Sequence, residues 1–364
     1  MSFHGFIVAV VCGRRALFVL AALGLCSCAV VGPESITAGR GVYSEVITRT
    51  DDEQILNAIV RLRYDESFGM MSVASVTANL SFSARAGADI GVGDSDNYAG
   101  NLVPLSAGIA YEENPTISYV PLSGEEFMRR MVSPVPLNQW LLLGRLSKHP
   151  GHMLDLASTR VNGLRNPLLG KEPPSPEFAR LVKLYDQLRR VGVIDVVQPS
   201  DVESHGDYAW YIHGYGNTHS DGVRELLDLL GIKVKPDGSP ILVPVRVAVS
   251  PSATDAHVQT RSAYDVLQVF GAGIELPQAH LQAGLVEEVI WAVPKERRFI
   301  TIRTSEKRPD DAVVAIFFRD RWFYVDSTDT KSKRAFSFLR TFIGMRLADP
   351  GASQQGPVLT VPTS

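Results

Sequence analysis

Thiols are scarce in this chain. Its 364 residues include three cysteines, Cys12, Cys26 and Cys28, all within the first 28 positions. The rest of the chain can form no disulfide of its own and offers no thiolate to zinc or an iron–sulfur cluster. An excess of charge of one sign is lacking too: 36 basic residues stand against 39 acidic ones, net −3. That balance argues against nucleic acid or an anionic lipid surface as an electrostatic partner. No G-x-S-x-G elbow, phosphate loop, H-E-x-x-H helix or paired C-x-x-C occurs, so the common signatures of hydrolases, nucleotide enzymes and zinc sites are missing. There is no repeat of fixed period. With 45% hydrophobic residues, the chain can bury one large core or two smaller ones.

What is present begins at the N-terminus. Arg14 and Arg15 form a positive region, and Ala16 to Leu25 is an apolar run too short to span a bilayer. Leu25-Cys26-Ser27-Cys28 follows, and it resembles the lipobox of bacterial lipoproteins. The resemblance implies a signal peptide over 1–27, cleavage between Ser27 and Cys28, and a diacylglycerol-bearing, palmitoylated Cys28 as the mature N-terminus. The membrane is then a partner through this lipid. Ala29, where an aspartate would imply retention, implies sorting to the outer membrane with the body facing the periplasm. An ordinary secretory signal and an uncleaved anchor helix are the plainer alternatives. Cleavage removes two positive charges and no negative one. Residues 28–48 are expected as a lipidated tether, with Gly32, Pro33, Gly39 and Gly41 early in it.

The most regular stretch runs from Val76 to Gly93. Val76, Leu80, Phe82 and Ile90, with alanines between them, alternate with polar residues and glycines, the period of a strand with one apolar face. Turn residues fill 94–101, and Leu105, Ile109 and Tyr111 mark a return strand. The pair reads as a long amphipathic β-hairpin. Thr50-Asp-Asp-Glu53 predicts a capping box before a helix carrying Ile55, Leu56, Ile59 and Val60. Ser123-Gly-Glu-Glu126 predicts a second, with Phe127, Met128, Met131 and Val132 inward. Between them Thr116 to Val120 is expected as a short separate strand. Leu137 to Leu146 reads as a helix and Met153 to Val161 as a strand.

The Gly- and Pro-rich stretch 162–176 is the expected domain junction. Beyond it, helices and strands alternate. Ser175-Pro176 opens a helix, Gly231 and Gly271 each close one, and Ile241, Val243, Val245, Val247 and Val249 are expected to face a core. Arg319-Asp320-Arg321 joins two strands, and a last helix spans Lys331 to Leu347. The fold class is therefore α+β: a helix and long amphipathic antiparallel hairpin over 49–165, then a mixed α/β domain over 175–347. The Gly-, Pro-, Gln- and Ser-rich tail 348–364 is expected to be disordered.

Few residues suggest chemistry. His205, Asp207, His213 and His219 are weak metal candidates, since imidazole and carboxylate can bind zinc; a polar loop with incidental histidines is the plainer reading. Asp326 and Asp329 are paired carboxylates on one reading and helix caps on the simpler one. No catalytic residue and no cofactor is expected.

Two resemblances extend the picture. In plan alone, lipobox, α/β body and long hairpin, the chain is similar to the curli secretion channel, whose subunits lend hairpins to a shared outer-membrane barrel; no residue motif carries over. Asn57-Ala-Ile-Val-Arg-Leu-Arg-Tyr64, the stretch Asn114 to Phe127 and Trp322-Phe-Tyr-Val-Asp326 resemble uncharacterised proteobacterial envelope proteins. The expectation is a lipid-anchored, non-enzymatic assembly or transport component whose partners are envelope proteins or further copies of itself. The alternatives are a pore subunit donating the 76–111 hairpin to a shared barrel, and a periplasmic hydrolase with an unfamiliar site.

Overall fold

The computed structural model describes residues 31–88, 105–122, 124–167, 175–198, 208–214, 219–233, 239–287 and 298–347; within these, residues 31–40, 42, 74–116, 120, 123 and 146 are described at most by their backbone. Contact clustering divides the chain into two units, 1–53 and 54–364. The fold is α+β, with nine helices and mixed sheets among the described residues. No helix among them is long and apolar enough to cross a membrane.

Helix α1 spans Val31–Arg63. The expected tether is thus helical from Val31 onward. The expected cap at Thr50 is also absent: Thr50 lies mid-helix and its hydroxyl donates to the Ile47 carbonyl at 2.9 Å, the back-bond that a threonine makes inside a helix. Ile55, Leu56, Ile59 and Val60 are buried as their spacing predicts.

Strands β1 (Met70–Ala88) and β2 (Leu105–Leu122) pair antiparallel, from Met70 with Leu122 to Ala88 with Leu105. Phe82 faces Tyr111 across the ladder and Ala84 faces Ile109. The expected separate strand at 116–120 is part of β2, so Pro115 sits within it, opposite Ala78. Proline is tolerated in edge strands, and both strands of a two-stranded sheet are edges. Ile90 lies outside the described residues.

Helices α2 (Gly124–Val132), α3 (Leu137–Leu146) and α4 (Pro150–Ala157) follow. Phe127 and Met131 are buried, whereas Met128 and Val132 are exposed. The strand expected over 153–161 is α4 up to Ala157, and only Ser158–Val161 forms β3. Pro150 at the first helical position and five buried apolar residues within two turns explain the helix.

A six-stranded sheet has the order β4-β3-β8-β7-β6-β5. Its members are β3, β4 (Leu164–Arg165), β5 (Ile194–Val197), β6 (Ala209–Ile212), β7 (Ile241–Val247) and β8 (Ala256–Thr260). All neighbours are antiparallel except β7 and β8. The expected junction at 162–176 therefore does not separate two sheets: Asn162-Gly163, both at positive φ, form the tight turn between β3 and β4. Val247 and Val249 are exposed, against expectation.

Helix α5 (Pro176–Arg190) is capped by Ser175, which accepts from the Phe178 amide, and α6 (Ser220–Leu230) ends at Gly231 in the left-handed region. Both bury the apolar faces their sequences predict. Helices α7 (Ala263–Gly271) and α8 (Gln278–Gln282) lead to a three-stranded sheet, β10-β11-β9, of β9 (Arg303–Ser305), β10 (Ala312–Phe318) and β11 (Arg321–Asp326). Gly271 lies inside α7 and does not close it. Gly273 is the constrained glycine: a Cβ there would meet the Ile300 carbonyl at 2.2 Å. The final helix, α9 (Thr330–Leu347), buries Phe336, Leu339, Phe342 and Ile343.

Candidate binding pocket

A cavity of about 830 Å³ lies between α4, α5, α7 and α9. Helical spacing explains who lines it. On α9, Lys331, Arg334, Ala335, Phe338 and Thr341 recur every three or four residues and so share one side. On α4 and the residue before it, His149, His152, Asp155 and Leu156 do the same.

The two walls are held by specific contacts. A Cβ at Gly151 would lie 2.7 Å from the Val182 carbonyl and 2.8 Å from the Asp186 Cβ, so α4 meets α5 backbone to backbone. The Gly151 amide donates to Asp186 Oδ1 at 3.1 Å, satisfying one orphan donor of the helix start. On the other side, the buried Ser332 hydroxyl donates to Asp329 and accepts from the Thr301 amide at 2.8 Å. That fixes the first turn of α9 beside Arg298 and Phe299.

The floor is apolar. Phe299 stacks on Phe270 with centroids 6.4 Å apart and meets the edge of His152 at 6.0 Å. Leu156, Val182 and Phe338 complete it. The rim is cationic: Lys148, Arg298, Lys331, Lys333 and Arg334 line the cavity, and Asp155 is the one lining carboxylate. The Nε of Arg298 is buried without a hydrogen-bond partner. The His149 and His152 rings lie 5.0 Å apart. Burial first, and then His149, lower the pKa of His152. The ring reaches solvent through the cavity while protein surrounds it, so both its exposure and its desolvation hold.

Two lining hydroxyls bond to backbone. Ser147 Oγ donates to the His149 carbonyl at 2.8 Å and accepts from the His149 amide, while Thr341 donates to the Ser337 carbonyl. The arrangement sets positive charge next to an apolar surface.

Of the metal candidates, His213 and His219 are described. His213 Nε2 contacts Asp195 at 2.9 Å, and Asp195 also accepts from Arg189. His219 precedes α6 without a side-chain cap bond. His205 and Asp207 lie outside the described residues, and no group of three potential metal ligands occurs among those described. Asp329 caps α9 by accepting from the Ser332 amide, as the simpler reading expects, whereas Asp326 accepts from Thr328 and faces Arg303. Ser27 and Cys28 lie outside the described residues, and the side chains of Val76, Leu80, Phe82, Leu105, Ile109 and Tyr111 are likewise not described.

The pocket residues escaped the sequence reading. One signal was available: Lys331, Lys333 and Arg334 crowd the first turns of α9, which holds no acid there, against the usual preference for negative charge at a helix start. No protein-family profile, curated protein or solved structure matches the chain.

Proposed function

We propose that this is a lipid-anchored protein of the outer membrane, its body in the periplasm, that serves in assembly or transport without catalytic chemistry. The supporting observation is the ribbon of β1 and β2. The two strands form a sheet of their own, and among the described residues no third strand joins either edge. At about 3.3 Å per residue, 19 residues extend roughly 60 Å. An isolated two-stranded sheet is marginally stable, and long open edges are normally covered or paired. A partner chain is the natural source of that cover.

The same ribbon favours a second reading, donation to a shared barrel. Both strands exceed the roughly 9–11 residues a bilayer crossing needs. Two strands cannot close alone, so several copies would have to contribute.

The size of the native particle extracted in detergent tests the partnership. A homo-oligomer that conducts ions in a planar bilayer is expected of the barrel reading. A heteromeric, non-conducting particle leaves assembly or transport without a pore, and a lone non-conducting monomer overturns both. The anchor has its own test. Cys28→Ala should abolish labelling by a fatty-acid analogue in cells, and undiminished labelling sinks the lipoprotein reading.

A further inference from the structure

We propose that the cavity between α4, α5, α7 and α9 holds a single amphiphile, an acyl or alkyl chain with a carboxylate or phosphate head. The pocket alone carries this, independently of the ribbon and the anchor.

Its volume of about 830 Å³ falls within the span of small-molecule sites, ~300–1,000 Å³. Leu156, Val182, Phe270, Phe299 and Phe338 offer a chain an apolar bed, and burying methylenes there is favourable. Among the described lining residues, five cations stand against one carboxylate, a local balance opposite to the chain's net −3, and such a cleft attracts anions. Carboxylate and phosphate oxygens suit guanidinium and ammonium donors through charge-assisted bonds. A neutral chain gains nothing from the cations. A small inorganic anion leaves the aromatic floor wet.

The test uses the full chain extracted at one fixed concentration of neutral detergent, with displacement of a fluorescent long-chain fatty acid as readout. Laurate and dodecyl phosphate are the two head-group arms, and whichever competes better identifies the head. Dodecanol and dodecyltrimethylammonium, of equal chain length, should compete at least about tenfold less well, the size of one charge-assisted hydrogen bond. Acetate and inorganic phosphate should not compete at millimolar concentration. Lys333→Glu with Arg334→Glu, both exposed, should weaken laurate by about tenfold or more and leave dodecanol unchanged. Ala335→Trp should abolish displacement by every chain. Equal competition by dodecanol, displacement by inorganic phosphate alone, or wild-type laurate binding in the charge-reversed variant with unchanged thermal unfolding would each overturn the proposal.

Discussion

Gly151 decides how closely α4 and α5 approach. Gly151→Ala places a methyl against the Val182 carbonyl and the Asp186 Cβ, and backbone cannot yield as a flexible side chain does. A loss of about 1–3 kcal/mol is expected, read from the shift in urea midpoint; an unchanged midpoint would mean that the helices can part without loss. A second residue sets an alkaline limit. The Tyr64 hydroxyl hydrogen-bonds with His280 Nδ1 at 2.7 Å, in an aromatic cluster with Phe318 and Phe323. Burial raises its pKa to about 12, and that of the buried Tyr185 equally to about 12. Their unfolded values are near ~10. The neutral phenols therefore favour the fold fully below pH ~10, and this contribution is lost as pH rises toward about 12. Tyr64→Phe should flatten the fall in stability across that window, as measured by urea unfolding at graded pH. On the acid side the sign reverses for His152 and His280, whose pKa values burial lowers. The unfolded state binds more protons below pH ~6.5, so acidification weakens the fold there. For His152 the surrounding charges are His149, Lys331, Asp155 and Asp186.

At the scale of elements, ladder register is the quantity to test. Ser83 is the Cα partner of Ala110, and Arg85 of Gly108. Cysteines at 83 and 110 should cross-link under mild oxidation, whereas cysteines at 83 and 106 should not, because disulfides require Cα atoms within about 7 Å. Peptide mapping reads the difference, and preferential linkage of the second pair would refute the register. The elements also show where sequence reasoning succeeded. Periodicity identified α5, α6 and α9, whose apolar faces bury Phe178, Leu226 and Phe342. Alternation over 76–88 falls within β1, because alternation over so many residues has no helical counterpart, whereas β2 was divided at Asn114-Pro115. Sequence reasoning failed where local signals had two meanings. Thr50-Asp-Asp-Glu53 is a start signal inside a continuing helix. Asn162-Gly163 is a hairpin turn that a Pro-rich neighbourhood disguised as a linker. The short strands β5 and β8 carry too few residues to show a period. The pocket was illegible for another reason: its cations come from three separated segments, and only tertiary packing brings Lys148, Arg298 and Lys331 around one cavity.

At the scale of the whole molecule, the α+β class follows from the alternation of patterns, but the partition of the chain does not. The expected boundary near 165–175 falls between strands of one sheet, since β3 pairs with β8 some hundred residues later, Val161 opposite Val258. That sheet is two antiparallel triplets, β4-β3-β8 and β7-β6-β5, joined by the single parallel pairing of β7 with β8. The seam has only three register pairs, Val245 with Ala256, Arg246 with His257 and Val247 with Val258. Parallel pairing is slightly weaker per residue, and this seam has one pair fewer than the four that link β7 to β6 and the four that link β6 to β5. A sheet built this way tears before it melts. Under mechanical load, or in the rare openings sampled at equilibrium, the triplets should separate along this line while each stays internally paired. Deuterium should enter the seam amides ahead of those linking β6 to β7. Equal protection on both sides of β7 would instead make the six strands a single sheet in its dynamics as well as in its drawing.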